Sequence, residues 1–295
     1  MVELAERSKI SIGTVIYATD FSRCSQNAGA YAVRLAAFLS AKLVVAHAFT
    51  LTQAAMEVEA DRTSVSRQRM ELNSLLANTA FLLGSHGIAA IPALLDGDPE
   101  DVLPTLAEEH APSMIVLGTH GGVGLERGLL GSVAEKVLRS TDWPSLTVGP
   151  HVGSVSVSTV PFSRILFATD FSPAAVQAAV FTASFAETLG ATIDVLNVAP
   201  ESSVLEAESF SDMEERFLGA LDRLMPERAK KFCDPRTYVA MGNAHDRILD
   251  HIRERSIDLL VLGIRKTSHL SLEIRTSQAF RIIADADCPV LTIRR

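Results

Sequence analysis

Gly118-Thr119-His120-Gly121, followed after nine residues by Gly131-Ser132, is the part of this chain best suited to chemistry. It comes directly after the apolar run Met114–Leu117 and leads into an amphipathic stretch, so the order reads strand, glycine-rich loop, helix. Loops of that kind bring backbone N–H groups and a helix N-terminus to bear on a phosphate. Glycines at 118, 121 and 131 let the backbone approach an oxyanion with no Cβ in the way. Ser132 reads as an N-cap with Glu135 completing a capping box, and its hydroxyl is placed to serve either the helix or a phosphate. The pattern is not a P-loop, which needs Gly-Lys-Ser/Thr. Nor is it a dinucleotide fingerprint, since Arg127 stands where the third glycine belongs. His120 reads as a solvated neighbour rather than a catalyst. Arg127 is either a screen for a polyphosphate or a surface charge.

Positioning those residues takes an alternation of strands and helices. Thr14–Ala18, Lys42–Phe49, Ile88–Leu95, Met114–Leu117 and Ser145–Val148 read as strands of a parallel sheet covered on both faces. Between them lie a helix capped by Ser22, a long helix from about Val65 to Leu83, a helix started by Asp98-Pro99, and one over Ser132–Ser140. Gly84 and Gly87 are candidate C-cap glycines. The fold class is α/β: two tandem open parallel-sheet, Rossmann-like domains of five strands each, with right-handed crossovers. In such sheets ligands bind beyond the carboxyl ends of strands where strand order reverses, which is where Asp20, Ala48 and Gly118 should converge.

The tandem arrangement comes from an internal repeat. Val15-Ile-Tyr-Ala-Thr-Asp-Phe-Ser22 returns as Ile165-Leu-Phe-Ala-Thr-Asp-Phe-Ser172, and Pro144–Val148 returns as Pro289–Ile293. The expected boundaries are a first domain over 1–150, a linker over 151–163 that could instead add an edge strand, and a second domain over 164–295. Ser172-Pro173 starts a helix there, Thr192–Val198 and Arg236–Met241 are strands, Asp212–Leu224 is a charged helix, and Pro226–Pro235 reads as irregular.

A formal charge of −8 with 6% aromatic residues argues against nucleic acid or an anionic membrane as partner. Three scattered cysteines, Cys24, Cys233 and Cys288, form no metal or redox motif and read as ordinary thiols. The N-terminal stretch is polar and mixed in charge, and no apolar run approaches a membrane span, so a cytoplasmic protein is expected.

The Gly-x2-Gly-x9-Gly-Ser spacing resembles the nucleotide signature of the universal stress protein family. So do Asp20 in Ala18-Thr-Asp-Phe-Ser22, the second strand ending His47-Ala48-Phe49, and the last strand Pro144–Val148. The resemblance implies that the ligand is ATP, with Mg²⁺ held mainly by the phosphates. Ala18, Asp20 and Ala48 would then frame adenine and ribose, and Gly118, Gly121, Gly131 and Ser132 would hold ribose and phosphates. Thr19, Thr119 and Val133 complete the implied set, and no catalytic or metal-ligating residue is expected. Alanine at 48, where the family has a larger aliphatic, leaves a roomier base pocket. The resemblance also implies that domains pair through their last strands, giving an internal pseudo-dimer, a homodimer, or both.

The second domain departs from the signature. Gly263-Ile264-Arg265-Lys266 and Thr276-Ser277 put a lysine and a threonine where the second and third glycines belong. Glu273 takes the place of Gly128, and Phe280 that of Glu135. This domain is expected not to bind ATP in the family's manner, although Arg265, Lys266 and Arg275 leave open a different anion. The leading expectation is an ATP-binding stress-response regulator with nucleotide as a conformational ligand. A slow ATP hydrolase and a nucleotide-free interaction module are the alternatives, and no residues dedicated to efficient hydrolysis stand out.

Overall fold

Branched aliphatic runs become strands with both faces covered, and the capped amphipathic stretches become the helices that cover them. The computed structural model describes residues 11–50, 59–120, 129–153, 161–200, 210–265 and 278–294. The first half contains β1 (Thr14–Ala18), α1 (Arg23–Leu39), β2 (Lys42–Phe49), α2 (Glu59–Gly84), β3 (Ala90–Asp96), α3 (Pro99–Glu109), β4 (Ser113–Gly118), α4 (Ser132–Ser140) and β5 (Ser145–Val148). The second contains β6 (Arg164–Thr169), α5 (Pro173–Leu189), β7 (Thr192–Ala199), α6 (Phe210–Leu224) and α7 (Glu227–Phe232). It continues with β8 (Arg236–Met241), α8 (Ala244–Arg255), β9 (Leu259–Ile264), α9 (Gln278–Asp285) and β10 (Val290–Arg294).

The five strands of each half join into one ten-stranded sheet in the order β3-β2-β1-β4-β5-β10-β9-β6-β7-β8. Every neighbouring pair is parallel except β5 with β10, which run antiparallel with Leu146 opposite Leu291. Two buried hydroxyls reinforce that seam: Thr147 Oγ1 donates to Val290 O and Thr292 Oγ1 to Ser145 O, each at 3.1 Å. The pairing through last strands therefore occurs within the chain. Side chains alternate across the sheet, Val15 and Tyr17 to one face and Ile16 to the other. Each of the two resulting core layers runs through both halves. Full burial of an aliphatic side chain contributes about 1.5–3 kcal/mol, so Leu146 and Leu291, at 1% and 0% exposure, help hold the halves as one body.

Local signals explain most helix ends. Ser22 accepts from Ser25 N at 3.2 Å and Ser172 from Ala175 N at 3.3 Å, capping α1 and α5. Three expectations need correction. α2 begins earlier than expected, at Glu59, and ends at Gly84, with Gly87 turning the chain at φ +81°. The Pro226–Pro235 segment holds helix α7, because Ala229 and Cys233, four residues apart, are both buried beneath a polar surface. Asp98 starts α3 without a side-chain cap bond; its Oδ1 accepts the Thr50 hydroxyl at 2.9 Å. The edge strand considered for the linker falls on 154–160, outside the described residues.

Candidate functional site

A cavity of about 370 Å³ opens where the carboxyl ends of β1, β2 and β4 meet the N-terminal turns of α3 and α4. Its size lies in the range usual for small-molecule sites. Ala18, Thr19, Asp20, Ala48, Gly118, Thr119, Gly131, Ser132 and Val133 all line it. Gly121, with Glu126 and Arg127, lies outside the described residues.

The β1–α1 turn sets one wall. Thr19 Oγ1 accepts from Phe21 N and Asp20 Oδ1 accepts from Ser22 N, both at 2.9 Å, which holds Phe21 at φ +61°. An aromatic residue in that region costs energy that the surrounding bonds must offset. Behind it, Tyr17 donates to Thr19 Oγ1 at 3.1 Å, and Thr19 and Ser25 share a second bond of 3.1 Å. Burial pushes the Tyr17 phenol above its ordinary range, against the lowering effect of its hydroxyl partners, so it stays a donor. With Oδ1 spent on the turn, the Asp20 Oδ2 atom has no partner among the described residues.

The opposite wall is the start of α4. Here the structure corrects the sequence: Gly131, not Ser132, is the N-cap, no side chain caps the helix, and Glu135 pairs with Arg139 at 2.7 Å. Gly131 N donates to Thr119 O at 2.8 Å, and a Cβ on Gly131 would lie 2.6 Å from that oxygen. The chain can return this close to β4 only because 131 is glycine. Displacing Ser132 by one position leaves its hydroxyl unbonded and leaves the N–H groups of Ser132, Val133 and Ala134 without acceptors among the described residues. All three residues line the cavity. Unpaired donors with the positive end of a helix, about half an elementary charge, suit an anion.

Gly118 has another reason to be glycine. A Cβ there would sit 3.0 Å from Ser25 N and 3.2 Å from Cys24 Sγ, so α1 could not seat against β4.

Sequence reasoning missed the apolar slot. Ala46, Leu103 and Leu117 line it together with Ala18 and Ala48. Ala46 was legible as the residue two before Ala48 on the same strand face, and Leu103 as the residue one turn after Pro99. His47, beside Ala48, donates from Nδ1 to Thr19 O at 2.7 Å and ties the ends of β1 and β2. His120 is held by Thr119 Oγ1 at 2.8 Å on the cavity wall. Glu100 Oε1 lies 2.6 Å from Lys136 Nζ, tying α3 to α4, and that hydrogen bond holds the Glu100 carboxyl below its ordinary range.

A largely apolar slot thus opens beside a row of N–H donors that have no acceptor among the described residues, with one carboxylate oxygen at the rim. The residues fit a ligand with a planar ring and an anionic tail. Among the described residues no group of His, Cys, Asp or Glu is arranged to hold a metal ion.

The second half keeps the turn and changes the mouth. Thr169, Asp170, Phe171 (φ +57°) and Ser172 repeat the β1–α1 geometry, with bonds of 3.0 and 2.9 Å. Asn197 repeats His47 by donating to Thr169 O at 2.9 Å. Asp170 Oδ2, however, lies 3.4 Å from the Arg265 guanidinium, which stands where His120 does in the first half. Lys266, Glu273, Arg275, Thr276 and Ser277 fall outside the described residues. Of the cysteines, burial pushes the Cys233 thiol up to about 11 and Cys288 also upward, so both are packing groups rather than nucleophiles. No helix among the described residues is long and apolar enough to cross a membrane.

The chain matches the profile of the Universal stress protein family over residues 11–149 and 161–294. It is similar to universal stress protein MJ0531 of Methanocaldococcus jannaschii, 42% identical over 62 residues that make up 21% of this chain and 36% of that protein. It is also similar to the Na(+)/H(+) antiporter NhaS5 of a Synechocystis species, 28% identical over 220 residues, 71% of this chain and 30% of that one. The chain therefore spans 36% and 30% of the lengths of these two curated relatives. Among solved structures, a universal stress protein from Archaeoglobus fulgidus superposes with a TM-score of 0.69 at 19% identity, over 96% of each chain, a likeness of fold. With both halves matched and their sheets joined into one, the chain belongs to the universal stress protein family.

Proposed function

We propose that the first half binds an adenine nucleotide, ATP with its Mg²⁺ held mainly by the phosphates, and that the protein is a stress-response regulator rather than an efficient hydrolase. The observation that carries this reading is the row of N–H groups at Ser132–Ala134, unpaired among the described residues, facing an apolar slot across one cavity. Ala18, Ala48 and Leu103 would clasp the base, the free oxygen of Asp20 a ribose hydroxyl, and the N-terminus of α4 the phosphates. Bound nucleotide would act as a conformational ligand and so favour one surface for protein partners. In the second half Arg265 already engages the carboxylate, and that half is read as carrying no ATP in this manner.

The test is to denature the protein as purified, without added nucleotide, and quantify what is released by chromatography. About one ATP per chain agrees with a single working site. Two per chain would show that the second half also binds. None, with no binding on titration, would leave an interaction module. Sustained metal-dependent turnover abolished by His120→Ala would make the protein a hydrolase instead.

A further inference from the structure

Helix α8 is attached differently from its counterpart α3. Both follow a glycine of positive φ, Gly97 at +135° and Gly242 at +119°, so Glu100 corresponds to His245 and Leu106 to His251. Both helices bury aliphatic side chains in the core layer that also holds Val44: Leu103 and Leu106 from α3, and Ile248, Leu249 and Ile252 from α8. Glu100 of α3 reaches Lys136 on α4. In the second half Asp194 replaces Val44. It is 5% exposed, and its Oδ2 lies 3.1 Å from His251 Nε2 and 3.5 Å from Arg255 Nε. At the other end of α8, His245 has a carboxylate on each ring nitrogen: Asp246 Oδ1 at 2.9 Å from Nδ1, and Asp285 Oδ2 of α9 at 2.9 Å from Nε2.

The second arrangement fixes a protonation state by geometry. A neutral imidazole has a single N–H and cannot donate to two carboxylates at once; only the imidazolium can. His245 is 15% exposed and Asp285 23%, against 69% for Asp246, so the bond to Asp285 is the one that water replaces least readily. We propose that α8 is a pH-responsive element, its first turn docked against α9 through protonated His245 and loosened as that proton leaves. Histidine is the side chain that ordinarily changes charge between about pH 5 and 8.

The other charges near the two rings are accounted for. Arg255 and Tyr238 Oη form a short contact beside His251, and Arg164 of β6 reaches the Arg255 carbonyl. Arg253 pairs with Asp287 at 2.7 Å, Arg247 bonds the Met241 carbonyl, and Arg281 and Asp285 share α9. The arginines keep their charge throughout, so His245 is the group that switches. Ala244, beside His245, corresponds to Pro99, which lines the first half's cavity, so the loosened end would be the rim of the second half's strand ends. The surface offered there would differ between acid and alkaline conditions, independently of nucleotide in the first half.

Amide hydrogen exchange of the full chain tests this at pH 5.5, 7 and 8.5, with rates corrected for the intrinsic pH dependence of exchange. Helix α3 serves as the reference within the same molecule. Exchange through residues 244–255 is expected to open about fivefold more often at the highest pH than at the lowest, since charge-assisted bonds are about twice as strong as neutral ones. Exchange through 99–109 should not follow. His245→Gln, which cannot be charged, should lower α8 protection at pH 5.5 and flatten the response. No pH response in α8, an equal response in α3, or a variant that keeps the wild-type response would each overturn the proposal.

Discussion

The two halves of the sheet share their turns and differ in their mouths, which separates what the fold requires from what the first site uses. Thr19 and Thr169, Asp20 and Asp170, Phe21 and Phe171, and Ser22 and Ser172 make the same hydrogen bonds around the same left-handed residue. Gly118 and Gly263 are both required by the helix packed against them; a Cβ on Gly263 would lie 2.7 Å from the Ala174 carbonyl oxygen. Half of the nucleotide signature is therefore structural, and persists where the mouth has changed. The distinguishing features are Gly131, where the second half has Thr276, and the oxygen of Asp20 that has no partner among the described residues, where Asp170 meets Arg265. The second half has in turn gained enclosed polar groups, Asp194 and His251, at positions where the first half is apolar.

The largest effect should come from breaking that buried pair. Asp194→Val alone leaves His251 and Arg255 facing an apolar wall. His251→Leu alone leaves a buried carboxylate with only Arg255 at 3.5 Å. Each should cost about 3 kcal/mol, whereas the double variant, which restores the first half's Val44 and Leu106 pattern, should fall within about 1 kcal/mol of wild type. Denaturant unfolding of the four proteins measures the coupling, and additive costs would show that the pair is not a unit. The double variant should also change the acid limb. Burial pushes the Asp194 carboxyl upward, but the His251 hydrogen bond and the charges of His251 and Arg255 outweigh it, leaving Asp194 below its ordinary range. A group lowered in the folded state stabilises above its unfolded value, near pH 4, and loses that contribution as pH falls through the folded value. The double variant should lack this acid-sensitive step.

Gly131→Thr sharpens the comparison from the other side, because it installs the residue that stands at 276. Gly131 has φ −58° and ψ 140°, which threonine adopts readily, and threonine is a good N-cap, so α4 should not be weakened. Its Cβ would collide with the Thr119 carbonyl oxygen, forcing the chain away from β4 and the N–H row out of place. Nucleotide affinity by calorimetry should fall about tenfold or more, the scale of one or two lost bonds to a charged group. Affinity unchanged within error would mean the close return at Gly131 does not form the cradle.

The alternation of strands and helices, the helix faces and the position of the cavity were legible because they follow from periodicity and from turn chemistry at Ser22, Pro99 and Gly118. The seam was legible only through resemblance: Ser145–Val148 and Val290–Arg294 look like ordinary buried strands, and nothing local in them specifies an antiparallel partner. The cap at Gly131 was misread because serine is the stronger cap former, and the bond from Gly131 N to Thr119 O is a tertiary contact. Helix α7 was hidden by composition, since a single buried turn of Ala229 and Cys233 gives too little periodicity against lysines and glutamate. The roles of Asp194 and His251, 57 residues apart in the chain, required the topology that brings β7 under α8.

The smallest effect is expected at Lys136. Its bond to Glu100 is short, yet the side chains are 60% and 21% exposed, and ion pairs in water contribute little because solvent competes for both partners. Lys136→Met should leave the unfolding midpoint unchanged at physiological salt and leave α3 as protected from exchange as before, since Leu103 and Leu106, at 2% and 7% exposure, already seat that helix. A clear loss of α3 protection would show that the first half also depends on its ionic link, and the contrast with α8 would narrow. If α3 is unmoved, the difference lies in the seat itself. Apolar contacts hold α3 regardless of proton concentration, whereas α8 adds to its own buried Ile248, Leu249 and Ile252 a histidine where α3 has Leu106 and ionic contacts at both ends.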